Sequence, residues 1–161
     1  MSELFQSAVG LSSAISQGTL SAAELMQSTL ARIEAVNPAV NAVVSLRPPE
    51  ELMAEARASD KIPQDRRGPL FGLPIAIKDL ANAKGLATTY GSPIFARQTA
   101  EKDDLVVGRI RAAGAIVIGK SNTPEMGLGS HTFNPVFGPT RNPYDLNRSA
   151  GGSSGGAAVA L

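Results

Sequence analysis

The chain has 161 residues, and its 15 Lys and Arg against 14 Asp and Glu leave a net charge of +1. This near balance provides no basic surface of the kind that binds nucleic acid. The sequence contains no Cys and a single His, which excludes disulfides, thiol nucleophiles and Cys-rich or multi-His metal sites.

The N-terminal 60 residues predict a helical region. Apolar spacing that includes Leu4 predicts a first helix ending at Gly18, and a capping box at Ser21 begins a second helix that should stop at Asn37–Pro38. Residues 42–46 predict a short strand. Two prolines at 48 and 49 then open a third helix, to about residue 59, before a polar surface loop.

From residue 68 the chain alternates apolar runs with Gly and Pro. Residues 73–78 and 115–118 predict buried strands, and residues 103–113 predict a helix that packs through Leu105, Val106 and Ile110. A further helix should begin at 123–125, and residues 134–147 should form a loop. This alternation of helices and strands indicates an α/β sandwich.

Residues 114–121 match the phosphate-loop pattern G-x4-G-K-[ST] letter for letter. A phosphate loop needs a strand before its first Gly and a helix at its Lys, whereas here a helix precedes Gly114 and the variable positions are themselves strand-like. We therefore interpret the match as coincidence.

The glycine-rich residues 151–156 contain Gly151 and Gly152 followed by Ser153, and 151–155 fit the G-x-S-x-G pattern of a nucleophile elbow. That chemistry needs an acid and a His after the Ser, but the single histidine, His131, lies upstream. We interpret His131 as a histidine in a loop or at a sheet edge.

Without a His, a serine hydroxyl must rely on a Lys or a carboxylate as its base. Lys78 follows an apolar run, and burial would favour its neutral, basic form. The alternative is a strand-end lysine that extends to water. The glycine-rich segment has a comparable alternative as a simple turn before a helix.

Four segments follow one another along the chain and contain Gly-Leu-Pro-Ile-Ala-Ile-Lys-Asp, Gly-Lys-Ser-Asn-Thr-Pro-Glu-Met, Phe-Gly-Pro-Thr-Arg-Asn-Pro-Tyr and Gly-Gly-Ser-Ser-Gly-Gly. Together, in this order, they resemble the amidase signature family. The resemblance implies an α/β/α sandwich around a mixed sheet and a Ser-Ser-Lys triad without metal or cofactor. It makes Lys78 the base and Ser153 the bridging serine, held by a cis peptide bond. It makes Ser154 a supporting hydrogen-bonding partner, with Gly151 and Gly152 in the same loop.

The resemblance divides the chain into a helical lead-in, residues 1–60, and the front part of the amidase core, residues 68–161. In the family the nucleophilic serine and the oxyanion-hole amides follow the bridging serine in a Gly-Gly-Ser stretch, which would lie beyond Leu161. We therefore expect an incomplete, N-terminal portion of an amidase that contains no nucleophile. Alone, it should be inactive and only marginally folded.

The implied activity is hydrolysis of a carboxylic amide to an acid and ammonia or an amine through an acyl-enzyme. The alternatives are an A subunit of a tRNA-dependent glutamine or asparagine amidotransferase, which would need partner subunits, and a non-catalytic remnant or interaction module. We expect a small-molecule amide substrate, no direct nucleic-acid contact, no membrane association and a possible homo-oligomer. The absence of a leader or apolar span favours a cytoplasmic location.

Overall fold

The computed structural model describes residues 6–161, so Leu4 of the first predicted helix lies outside the described part. The helices are α1 (Ala8–Gln17), α2 (Ala22–Val40), α3 (Pro49–Asp60), α4 (Leu105–Ala112) and α5 (Gly155–Ala160). The strands are β1 (Pro74–Lys78), β2 (Ile116–Ser121), β3 (Arg141–Asn142) and β4 (Asp145–Ser149). Within residues 6–161, no helix is both long enough and apolar enough to cross a membrane.

Strand β2 is the centre of the main sheet, and all six of its residues are buried. It pairs in parallel with β1, placing Lys78 opposite Ser121. On its other side the segment 42–47 runs antiparallel, with a bridge between Val43 and Ser121 and a hydrogen bond of 2.9 Å from the Arg47 N–H to the Ile118 carbonyl. The sheet region is therefore mixed.

Alternate residues of β2 face opposite layers, as the two-residue period of a strand requires. Ile116 and Ile118 pack with residues of α2 and α3, whereas Val117 packs with Val107 of α4 and with β1. Helices thus cover both faces of the sheet. The expected α/β/α sandwich around a mixed sheet is confirmed.

The signals at the ends of the first two helices are confirmed. Gly18 ends α1 in the left-handed conformation, with φ at 72°. The capping box is complete, because the Ser21 hydroxyl accepts the Glu24 N–H at 3.1 Å and the Glu24 carboxylate accepts the Ser21 N–H at 2.9 Å.

The predicted stop at Asn37–Pro38 is wrong, since α2 continues to Val40. Pro38 lacks one N–H donor, a loss confined to the last turn of the helix. The Asn37 side chain secures the exit by accepting the Ala42 N–H at 2.9 Å. Asn41 then ends the helix in the left-handed conformation, with φ at 54°.

The strand predicted over residues 42–46 is reduced to a single bridge. Asn41 turns the chain immediately before it, and Pro48, which has no N–H to donate, follows it closely. The hydrogen bonds of Val44 and Ser45 to Lys120 nevertheless keep the segment against β2.

Three predictions further along the chain need correction. In α4, Leu105 and Val106 are exposed and the fully buried residue is Val107. Residues 123–125 begin no α-helix, because Glu125–Gly127 is a single 3-10 turn. The predicted loop 134–147 contains β3 and the start of β4, which form a hairpin.

The phosphate-loop pattern lies in a strand, which confirms that the match is coincidental. Gly114 has a left-handed backbone just before the strand, and Gly119 and Lys120 lie within β2 itself. The backbone amides of this segment are used within the fold, by carbonyls of α4, of the sheet and of the segment 42–47.

Candidate active site

Lys78 and the two serines of the glycine-rich segment meet in space. The Lys78 Nζ donates hydrogen bonds of 2.9 Å to the Ser153 Oγ and of 2.9 Å to the Ser154 Oγ. Lys78 is the last residue of β1, and Ser153 lies 75 positions later. The proximity expected from the resemblance is confirmed.

The surroundings of Lys78 favour its neutral form. Burial lowers the pKa of the Lys78 ammonium below its usual value. Asp79, the next residue, points elsewhere, with its carboxylate hydrogen-bonded to Thr89. The nearest polar partners of Lys78 are therefore hydroxyl groups, which do not compensate a positive charge as a carboxylate would.

We call residues 151–156 the Gly-Ser loop. Its Gly152–Ser153 peptide bond is cis, as the resemblance implies. The Gly152 N–H donates to the Ser130 carbonyl at 2.6 Å, and an antiparallel bridge joins Gly151 to His131. The loop is therefore fastened along the segment 130–132, and its last two residues begin α5.

Three of the four glycines in the Gly-Ser loop have no room for a side chain. A Cβ atom on Gly152 would collide with the Gly129 carbonyl, one on Gly155 with the Thr132 side chain, and one on Gly156 with the backbone of Asn122. Gly151 differs, because nothing lies within 4 Å of the position that its Cβ would occupy.

A buried polar network lies behind the loop. The Asn122 side chain donates to the Thr140 hydroxyl at 3.0 Å and accepts a hydrogen bond of 2.7 Å from Asn134. Thr123 donates to the Ser153 carbonyl at 3.2 Å, and Thr132 donates to the Gly151 carbonyl at 3.0 Å. Buried polar groups that are hydrogen-bonded in this way hold one arrangement of the main chain.

A second buried feature is an ion pair that the sequence predictions do not contain. The Lys120 Nζ lies 3.7 Å from an Asp79 carboxylate oxygen, and neither side chain is exposed. Lys120 also donates to the Ala81 carbonyl and to the Thr88 hydroxyl, the latter at 3.2 Å. The available signal was a lysine within an otherwise apolar strand, which requires a buried acceptor.

Burial lowers the pKa of Lys120, while the carboxylates of Asp79 and Asp104 act in the opposite direction. The pair fixes the chain immediately after Lys78 to the neighbouring strand. It therefore connects the residues that follow β1 to strand β2.

The remaining titratable candidate is peripheral. His131 is exposed, and its Nδ1 lies 3.3 Å from the Ser149 Oγ, in agreement with an edge histidine. Over residues 6–161, no group of three or more His, Asp or Glu is placed to hold a metal ion.

A family model described as Amidase matches residues 24–161. The chain therefore belongs to the amidase family, the class that the α/β/α sandwich and the Lys-Ser-Ser cluster define. It is 44% identical to the A subunit of the glutamyl-tRNA(Gln) amidotransferase from Acidothermus cellulolyticus, over all of this chain and 32% of that protein. It is 40% identical to an acylamidase of Rhodococcus erythropolis, over 96% of this chain and 33% of the relative.

Among solved structures, a peptide amidase in complex with the competitive inhibitor chymostatin superimposes with a TM-score of 0.88 at 35% identity. The match covers all of this chain and 34% of the peptide amidase. The chain thus spans about a third of the length of these relatives.

Proposed function

We propose that this chain supplies the base and the proton relay of an amidase that hydrolyses a carboxylic amide through an acyl-enzyme. Lys78 is the base, Ser153 is the bridging serine and Ser154 is the supporting residue. The attacking serine lies outside residues 1–161. The observation that carries the proposal is the paired hydrogen bonding of the Lys78 Nζ to two serine hydroxyls at 2.9 Å each.

The geometry suits proton transfer if Lys78 is neutral. A neutral amine has two N–H groups and one lone pair. An N–H directed to the Ser154 Oγ leaves the lone pair free to accept the proton of the Ser153 hydroxyl. Ser154 thereby orients the amine, and the lowered pKa of Lys78 increases the neutral fraction.

Acylation begins with proton transfer from the attacking serine toward Lys78. Lys78 accepts the Ser153 proton, and Ser153 accepts the proton of the attacking serine as that oxygen bonds to the amide carbon. The relay returns a proton to the leaving nitrogen as the C–N bond breaks, releasing ammonia or an amine. Water then attacks the ester by the same route and releases the acid.

A chimera tests the proposal. Residues 1–161 replace the aligned third of the Rhodococcus erythropolis acylamidase, which supplies the remainder of the protein. We expect amide hydrolysis by the chimera, a fall of roughly 1,000-fold or more in kcat for Lys78→Ala and for Ser153→Ala, and an unchanged rate for Lys61→Ala at an exposed lysine. Residues 1–161 alone should release no product.

The outcomes separate the main alternatives. A folded chimera without activity would support the non-catalytic remnant, and a chimera that retains its rate after Lys78→Ala would contradict the mechanism.

An A subunit of a tRNA-dependent amidotransferase is the second candidate, favoured by the 44% identity to the Acidothermus cellulolyticus protein. Such a subunit would generate ammonia from glutamine and would need partner subunits. Glutamine hydrolysis that depends on added partner subunits, with no hydrolysis of simple carboxamides, would favour this candidate.

The proposal extends to the domain organisation, substrate, location and assembly of the protein. Residues 1–60 form the helical lead-in and residues 68–161 the front part of a partial amidase domain. The substrate is a small-molecule amide, and no metal, cofactor, direct nucleic-acid contact or membrane attachment is required. The location is cytoplasmic, and the assembly is a homo-oligomer or, for the second candidate, a complex with partner subunits.

A further inference from the structure

Two buried threonines hold the main chain of the Gly-Ser loop at three points. The Thr132 hydroxyl donates to the Gly151 carbonyl at 3.0 Å and accepts the Gly155 N–H at 3.0 Å. The Thr123 hydroxyl donates to the Ser153 carbonyl at 3.2 Å. The side chains of both threonines are fully buried.

The backbones of both threonines are fixed by other groups. Thr132 donates its N–H to the Ala150 carbonyl at 2.9 Å and accepts the Thr140 N–H at 2.9 Å. Thr123 accepts a hydrogen bond of 2.7 Å from the Asn134 side chain. The hydroxyls therefore project from rigid positions, which is what a group that orients a neighbouring loop requires.

Apart from the threonines, the Gly-Ser loop is held by hydrogen bonds of the Gly152 N–H to the Ser130 carbonyl and of the Gly156 N–H to the Asn122 carbonyl. Its four glycines contribute no side-chain packing, and glycine has the largest backbone freedom of any residue. A loop of this composition stays in one conformation only through hydrogen bonds to its main chain and through close backbone contacts. The threonine hydroxyls provide such hydrogen bonds to the main chain on both sides of Ser153.

We infer that Thr123 and Thr132 are positioning residues for the proton relay. They hold the main chain of the Gly-Ser loop so that the Ser153 and Ser154 hydroxyls stay within hydrogen-bonding distance of the Lys78 Nζ. The catalytic consequence rests on the proposed function, whereas the geometric consequence does not.

The geometric consequence is tested in the chimera by a measurement that does not depend on activity. Each lysine is acetylated with acetic anhydride over a range of pH below the melting transition, and modification is quantified by mass spectrometry of the peptides. We expect Thr132→Val and Thr123→Val to raise the pH midpoint of Lys78 acetylation, because a loosened Gly-Ser loop would expose the Lys78 ammonium to water. Thr132→Ser, which keeps the hydroxyl, should leave the midpoint unchanged.

Thr88→Val is the matched control. It also removes a fully buried hydroxyl, one that accepts a hydrogen bond from Lys120, but it has no hydrogen bond to the Gly-Ser loop. It should destabilise the fold without moving the Lys78 midpoint. If Thr132→Val fails to fold, Thr123→Val carries the test, because it removes a single hydrogen bond.

The catalytic consequence is measured in the chimera. Each valine variant should lower kcat by about 10- to 100-fold with KM changed less than about threefold, and Thr132→Ser should recover kcat to within about threefold. Valine variants that keep both the kcat and the Lys78 midpoint would overturn the inference. A shifted midpoint together with a folded but inactive parental chimera would leave the positioning role intact and contradict the proposed function.

Discussion

Replacing Lys120 by Met should be among the most destabilising single substitutions in this chain. Met retains most of the aliphatic stem of Lys120 but removes the ammonium, leaving the buried Asp79 carboxylate without its cation and two acceptors, Ala81 O and Thr88 Oγ1, without a donor. Removing one partner of a buried ion pair costs about 3–5 kcal/mol. At roughly 2–4 °C per kcal/mol for a chain of this size, the melting temperature should fall by about 6–20 °C.

The assay is thermal unfolding followed by circular dichroism, with Lys61→Met as the control at an exposed lysine. The control should change stability by less than about 0.5 kcal/mol. Adding Asp79→Asn to Lys120→Met should recover part of the loss, because the unpaired carboxylate is removed while the amide still accepts the Thr89 N–H. A fall of less than about 2 °C for Lys120→Met, or strictly additive losses in the double variant, would refute this account of the pair.

Two further predictions concern β2 and the proposed base, Lys78. In a urea titration, Gly119→Ala should lower the free energy of unfolding by about 1–3 kcal/mol, because the new Cβ would collide with the Ser45 carbonyl. In the same titration, Gly108→Ala in α4 should raise the free energy of unfolding by about 0.5–1 kcal/mol, because alanine favours a helix more than glycine does and has room here. Burial lowers the pKa of Lys78 in the folded chain. Between the folded and the unfolded pKa values, the unfolded chain therefore binds more protons than the folded chain. The free energy of unfolding should consequently rise with pH across that alkaline window. Lys78→Met should flatten this rise; an equal slope in both proteins would contradict the lowered pKa.

The features that could be predicted from the sequence are those with local causes. The capping box at Ser21 and the left-handed Gly18 depend on a few neighbouring residues. The strand ending at Lys78 is marked by its own apolar run. The meeting of Lys78 with Ser153 came from the family resemblance, since no local signal joins residues 75 positions apart.

The features that could not be predicted depend on what packs against them. Three apolar residues begin α4, and only its position on the sheet decides that Val107 rather than Leu105 is buried. The helix passes Pro38 because the Asn37 side chain accepts backbone N–H groups beyond it. The partner of Lys120 lies 41 positions earlier, next to the proposed base, and nothing near Lys120 in the sequence identifies it.

The crowding around the Gly-Ser loop affects how its sequence can change over evolutionary time. Gly152, Gly155 and Gly156 lack space for even a methyl group, so selection for folding alone would retain them. A descendant that had lost its chemistry would still carry most of this glycine pattern. The pattern therefore traces ancestry and architecture, whereas the proposed proton relay depends on Lys78 and Ser153, whose side chains are hydrogen-bonded to each other.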